Sequence, residues 1–159
     1  MKELTPFLII LFLAYATGIF YVLSMIEKPL WGYLYKSKLF PKEKLMRQLH
    51  GQLKRLITLL PPTMIISMFS SLMLIVYQAF TLKSAPALIL AIFFVTGLGY
   101  LITFLKRRID GVKQIDSDEE YIILNTGVIR LAQLHHEGLL LAFTSFILQL
   151  WVVSSSPII

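Results

Sequence analysis

Two of the three histidines in this 159-residue chain stand in the same tripeptide, Gln48-Leu49-His50 and Gln133-Leu134-His135, and an arginine precedes each, Arg47 and Arg130. Two imidazoles on neighbouring helices of a bundle are the arrangement that ligates haem iron or another metal, so haem is the cofactor these residues would suit; none is identified by sequence. The same rings could instead hold the polar head of an organic ligand, with Gln48 and Gln133 placed to orient it. Arg47, Arg55 and Arg130 add cationic donors, suited to a carboxylate, a quinone headgroup or a phospholipid. His136 projects about 100° away from His135 on a helix and is the less natural partner. The expectation is one shared cavity lined by His50 and His135, with the arginines at its mouth. The plainer alternative is that these polar residues only mark the level of the lipid headgroups.

The elements that must carry these residues follow from composition. Hydrophobic residues make up 57% of the chain, charged residues 15%, and the mean hydropathy is +0.74. A soluble domain carries about 25% charged residues, so the solvent here is lipid. Four apolar runs approach the roughly 20 residues that cross a bilayer: 6–26, 56–80, 86–105 and 134–153. No strand-like alternation interrupts them. The fold class is therefore all-α, an integral membrane four-helix bundle forming a single transmembrane domain over 1–159. Ala14-Tyr15-Ala16 has the small-x-small form of a signal-peptidase site, but the apolar run continues to Ile26, as an anchor requires. Thr5-Pro6 and Ser84 read as helix starts, as does Pro41-Lys42-Glu43. Ser117 with Glu120 has capping-box spacing, so the fourth helix is expected to begin well before its span.

Charge orients the bundle. Of the 15 Lys and Arg residues, all but Lys2 and Lys83 fall in the two connections 27–55 and 106–133. The positive-inside rule puts both connections in the cytoplasm and both termini outside, in an inner or plasma membrane. The excess of positive charge then needs no nucleic acid as a partner. The partners expected are the lipid bilayer and either a hydrophobic small molecule or other membrane subunits. The absence of cysteine removes thiolate chemistry and disulfides.

Thr17-Gly18 to Ser24 and Thr96-Gly97 to Thr103 both read Thr-Gly-x-x-Tyr-x-x-Ser/Thr. With the paired Gln-Leu-His tripeptides they suggest two parallel helical-hairpin repeats, in which Tyr21 and Tyr100 face the bundle interior. Pro61-Pro62 predicts a kink in the second span. Ser67, Ser71 and Gln78 share one face of that span, and Gly138, Ala142, Ser145 and Gln149 one face of the fourth; such stripes face the interior of a bundle. No acid or lysine stands at mid-depth, which argues against an ion pump. Glu27 ends the first span and is expected to pair with an arginine.

The layout resembles a small membrane family of unknown function that includes the anthrone-oxygenase-like proteins. A glycine-containing first span, the segment Arg47 to Arg55 leading into Leu60-Pro61-Pro62, and a polar loop before a histidine-bearing fourth span carry the resemblance. Two places depart from the pattern: Arg108-Ile109-Asp110 replaces an asparagine-containing segment, and no arginine follows Leu134-His135. The resemblance implies four helices and, for some members, oxidation of an apolar aromatic. Two classes of function stand open: a redox or ligand-binding protein using His50 and His135, which as an enzyme would be a membrane-embedded oxidoreductase or oxygenase, and a non-catalytic subunit or scaffold of a larger membrane complex.

Overall fold

A computed structural model describes residues 4–35, 41–59, 61–115 and 120–155. These form five α-helices: α1 (Thr5–Ile26), α2 (Glu43–Leu59), α3 (Pro61–Leu82), α4 (Ala85–Lys113) and α5 (Tyr121–Ser155). A single 3-10 turn, Lys28–Leu30, follows α1. The described residues contain no strand. Helices α1, α3, α4 and α5 are long and apolar enough to cross a membrane. They close a ring in which α1 packs on α3, α3 on α4, α4 on α5 and α5 back on α1. Phe7, Leu11, Ile66, Met73, Ile92 and Phe143 project outward and are exposed. A continuous apolar exterior of this kind is covered by lipid.

Between α3 and α4 only Lys83 and Ser84 intervene, so the described basic residues of the other two connections lie at the opposite end of the bundle. Ser84 is the N-cap of α4 by position, although its side chain makes no capping bond. At the start of α1 the N-cap is Leu4, and Thr5 is already helical with Pro6 in the first turn, which shifts the expected cap by one residue. Helix α4 runs on past the apolar run to Lys113, and α5 spans 35 residues, about 52 Å at 1.5 Å each. That exceeds a hydrocarbon core of about 30 Å, so the first turns of α5 project beyond it as expected. Ser117 lies outside the described residues.

Helix α2 is described to Leu59 and α3 from Pro61; Leu60, beside the expected kink, lies outside the described residues, and α3 carries most of the expected second span. Helix α2 is amphipathic: Met46, Leu49, Leu53 and Ile57 are buried while Lys44, Gln48 and Arg55 are exposed. Its buried face rests on the ends of α4 and α5.

Lipid is as apolar as leucine, so close van der Waals packing, rather than exclusion from water, holds the spans together. Glycines on α4 and α5 mark the tightest approaches. A side chain at Gly97 would meet Leu141, one at Gly138 would meet the Phe20 ring, and one at Gly127 would run into the Gly111 carbonyl oxygen; around Gly18 there is open space. The small polar stripes of α3 and α5 are buried as expected, with Ser67 donating to the Phe12 carbonyl at 2.9 Å.

The Thr-Gly stripes behave otherwise. Tyr21 and Tyr100 are 52% and 50% exposed, so both face out of the bundle, contrary to the expectation. Thr17, Thr96 and Thr103 donate to the carbonyls of Leu13, Ile92 and Gly99 one turn back in their own helices. A hydroxyl satisfied by its own backbone needs no partner across the bundle, which leaves these faces free to meet lipid. Helices α1 and α4 occupy opposite corners of the ring, as four spans in alternating order require.

Candidate functional site

The last turn of α1 and the middle of α5 bring two ionisable side chains together inside the basic end of the bundle. His135 Nδ1 donates to Glu27 Oε1 at 2.7 Å, and Glu27 is only 1% exposed. Glu27 lies just past α1, with its backbone N–H bonded to Leu23 O. A 3-10 turn follows it, and the Trp31 indole N–H donates to the Ser24 carbonyl at 3.0 Å, which ties this turn to the end of α1. The carboxylate thus sits on a fixed stretch of backbone. Its second oxygen, Oε2, is buried with no hydrogen-bond partner among the described residues.

The ring also lines a cleft with a cavity volume of about 120 Å³. Helix α2 floors it with Leu53, Leu56 and Ile57; Phe20 and Leu23 of α1, Met64 and Met68 of α3, and Leu98, Leu101 and Leu105 of α4 form its walls. Among its described lining residues His135 is the one polar side chain. With Nδ1 committed to Glu27, Nε2 carries no hydrogen bond and is not sealed off. Ile65, Phe69 and Ile102 also line the cleft and are exposed, so its opening lies between α3 and α4, on the surface that faces lipid. A carboxylate that accepts from Nδ1–H fixes the orientation of the ring and leaves Nε2 of the neutral imidazole as an acceptor. The arrangement can accept a hydrogen bond or a proton from one polar group on an otherwise apolar molecule.

His50 does not share this cleft. Its Nε2–H donates to the Val112 carbonyl at 3.1 Å, and the Lys54 ammonium, one turn along α2, donates to the Ile115 carbonyl at 3.1 Å. These carbonyls belong to the end of α4 and the residues just after it, and the last carbonyls of a helix are the ones without intrahelical partners. His50 and Lys54 therefore cap α4, and both are placed to favour the negative end of its dipole. The two Gln-Leu-His tripeptides thus place their histidines in different environments. A metal or haem held between His50 and His135 would need both rings on one cavity, and only His135 is there. Among the described residues no three or more His, Asp or Glu side chains are grouped to hold a metal ion.

The remaining expected site residues are dispersed. Arg47 pairs with Glu43 one turn earlier at 2.6 Å, in a shallow groove on α2 that Gln48 also lines. Arg55 is exposed on α2, and Arg130 lines a separate groove between α4 and α5. Gln133 Nε2 donates to the Leu34 carbonyl, tying α5 to the segment after the 3-10 turn. None of these lines the cleft. Glu27 pairs with a histidine where an arginine was expected. Arg108 instead pairs with Glu137 at 2.7 Å and covers the Phe104 ring, 5.3 Å from its centroid.

The capping role makes a specific expectation for His50. His50→Ala should lower unfolding stability by about 1–2 kcal/mol, the cost of an orphaned buried carbonyl plus a lost terminus contact. His50→Gln, which restores a donor, should recover part of it. Thermal unfolding in detergent reads this directly; a His50→Ala protein as stable as the parent contradicts the cap.

No family model, curated protein or solved structure matches this chain.

Proposed function

We propose that the protein is a membrane-embedded receptor for a small apolar molecule with a single hydrogen-bond-donating head, taken up from the lipid phase between α3 and α4. The observation that carries this reading is the lone His135 in an apolar cleft, backed by buried Glu27. An apolar cavity with one placed polar group selects orientation as well as size. Because Nε2 is the acceptor, the head is a hydroxyl such as a phenol or an alcohol. An ether or a ketone has nothing to donate. The resemblance to anthrone-oxygenase-like proteins implies an apolar aromatic, which suits the apolar walls of the cleft.

Titration of the protein in lipid nanodiscs with naphthol, against empty discs, tests the reading. Saturable binding beyond simple partitioning is expected, and its absence counts against a receptor. The basic end of the bundle is proposed to face the cytoplasm, with both chain termini outside, on the asymmetry of Lys and Arg. A C-terminal reporter active only in the cytoplasm contradicts that orientation.

The alternative of a subunit in a larger complex rests on the same exposed apolar exterior that lipid covers. The cleft favours the receptor, because a helix that only packs against a partner has no need of a buried His–Glu pair beside an open apolar cavity.

A further inference from the structure

On the outer surface of α4 and α5, away from the cleft, a second groove is lined by Arg107, Arg108 and Arg130. We propose that this groove binds the phosphate of an anionic phospholipid from the leaflet on the basic side of the bundle. Its position follows from the tightest crossing in the fold, where Gly127 of α5 lies against the Gly111 carbonyl of α4. Arg107 stands four residues before Gly111 and Arg130 three residues after Gly127. The helices are antiparallel, so both arginines lie about one turn to the bilayer side of the crossing, one on each wall. Arg107 follows the third apolar run by two residues and Arg130 precedes the fourth by four, which sets both at the level where lipid phosphates lie.

The three arginines are not equivalent. Arg108 is committed to Glu137 and to the Phe104 ring. Arg107 and Arg130 are exposed and have no hydrogen bond or ion pair among the described residues. Ile115, Ile122 and Ile123 line the groove beside the glycines, an apolar bed for the lipid's glycerol and upper acyl chain next to the two guanidiniums. Two arginine forks converging on one phosphate give charge-assisted, bidentate bonds that a single exposed arginine does not. A lipid is favoured over a soluble anion because the site opens at the bilayer surface, where anionic headgroups are concentrated.

Native mass spectrometry of the full chain in detergent, with equal amounts of phosphatidylglycerol and phosphatidylcholine, tests the assignment. The parent protein should retain phosphatidylglycerol about tenfold over phosphatidylcholine. Arg107→Gln with Arg130→Gln should abolish that preference, Arg107→Lys with Arg130→Lys should keep part of it, and Arg47→Gln, on another face, should leave it intact. Should the double glutamine variant fold poorly, each single glutamine variant is expected to lower the preference by itself. Millimolar inorganic phosphate should not displace the lipid. The proposal is overturned if the double glutamine variant keeps the preference, if Arg47→Gln lowers it equally, or if phosphate competes, which would make this a soluble-anion site.

Discussion

Replacing His135 with leucine should cost about 3–5 kcal/mol of stability, and replacing Glu27 with leucine as well should restore most of it. The reason is the burial of Glu27: at 1% exposure its carboxylate has His135 as the partner of Oε1 and no partner for Oε2. Removing the histidine strands that carboxylate in a low-dielectric interior, which is far more costly than the pair itself is favourable. Glu27→Leu alone leaves only the imidazole N–H unsatisfied, a loss of about 1–3 kcal/mol. In the double variant neither penalty remains, and two leucines suit the surrounding Phe20, Leu23 and Leu131. The double variant should fall within about 1 kcal/mol of the parent. A chemical unfolding series on the four proteins measures the coupling. If the two single losses simply add in the double variant, the buried pair does not exist as described.

Filling the cleft should remove binding while leaving the fold intact. Leu101 lines the cavity from α4 and is nearly buried, so Leu101→Trp directs an indole into space that is otherwise open. A tryptophan placed in a packed core would strain it by about 1–3 kcal/mol. Here the added volume displaces only the space a ligand would take, and stability should change by less than about 1 kcal/mol. Naphthol affinity should drop by more than about tenfold, equivalent to about 1.4 kcal/mol. Unchanged naphthol binding in a well-folded Leu101→Trp protein would place the ligand elsewhere.

The fold was legible where physics acts along the chain. Four apolar runs and the clustering of lysine and arginine near two connections define the spans, because crossing a bilayer demands length and apolarity from each helix separately. The long extension of α5 and the start of α2 at Glu43 were also visible, from length and local start signals.

The site was legible only in half. His135 was singled out, but its partner Glu27 was assigned to an arginine, since sequence shows that an acid ends a span and not how deeply the following turn is tucked in. The equivalence drawn between His50 and His135 came from identical neighbours. What distinguishes them is tertiary: the end of α4 presents bare carbonyls to His50, whereas α1 presents a carboxylate to His135. Lys54, one turn from His50, was the available signal for the cap, because a cationic residue and a histidine at i and i+4 share one helix face. Tyr21 and Tyr100 misled for a related reason. Threonine hydroxyls close by had already been satisfied by their own helices, and a polar stripe that asks nothing of its neighbours can face lipid.

The central claim is that His135 Nε2 accepts a hydrogen bond from the head of an apolar ligand, and the comparison of naphthol with its methyl ether tests it most directly. The two probes share ring and size, but only naphthol can donate. Measured in the same nanodiscs and corrected for partitioning into empty discs, naphthol should bind the parent protein about tenfold more tightly than the ether, as expected for one buried hydrogen bond of about 1–2 kcal/mol. In the Glu27→Leu, His135→Leu double variant, which keeps the cleft without the acceptor, both probes should bind alike. Equal affinity of the two probes for the parent protein, or a hydroxyl preference that survives in the double variant, would contradict the account.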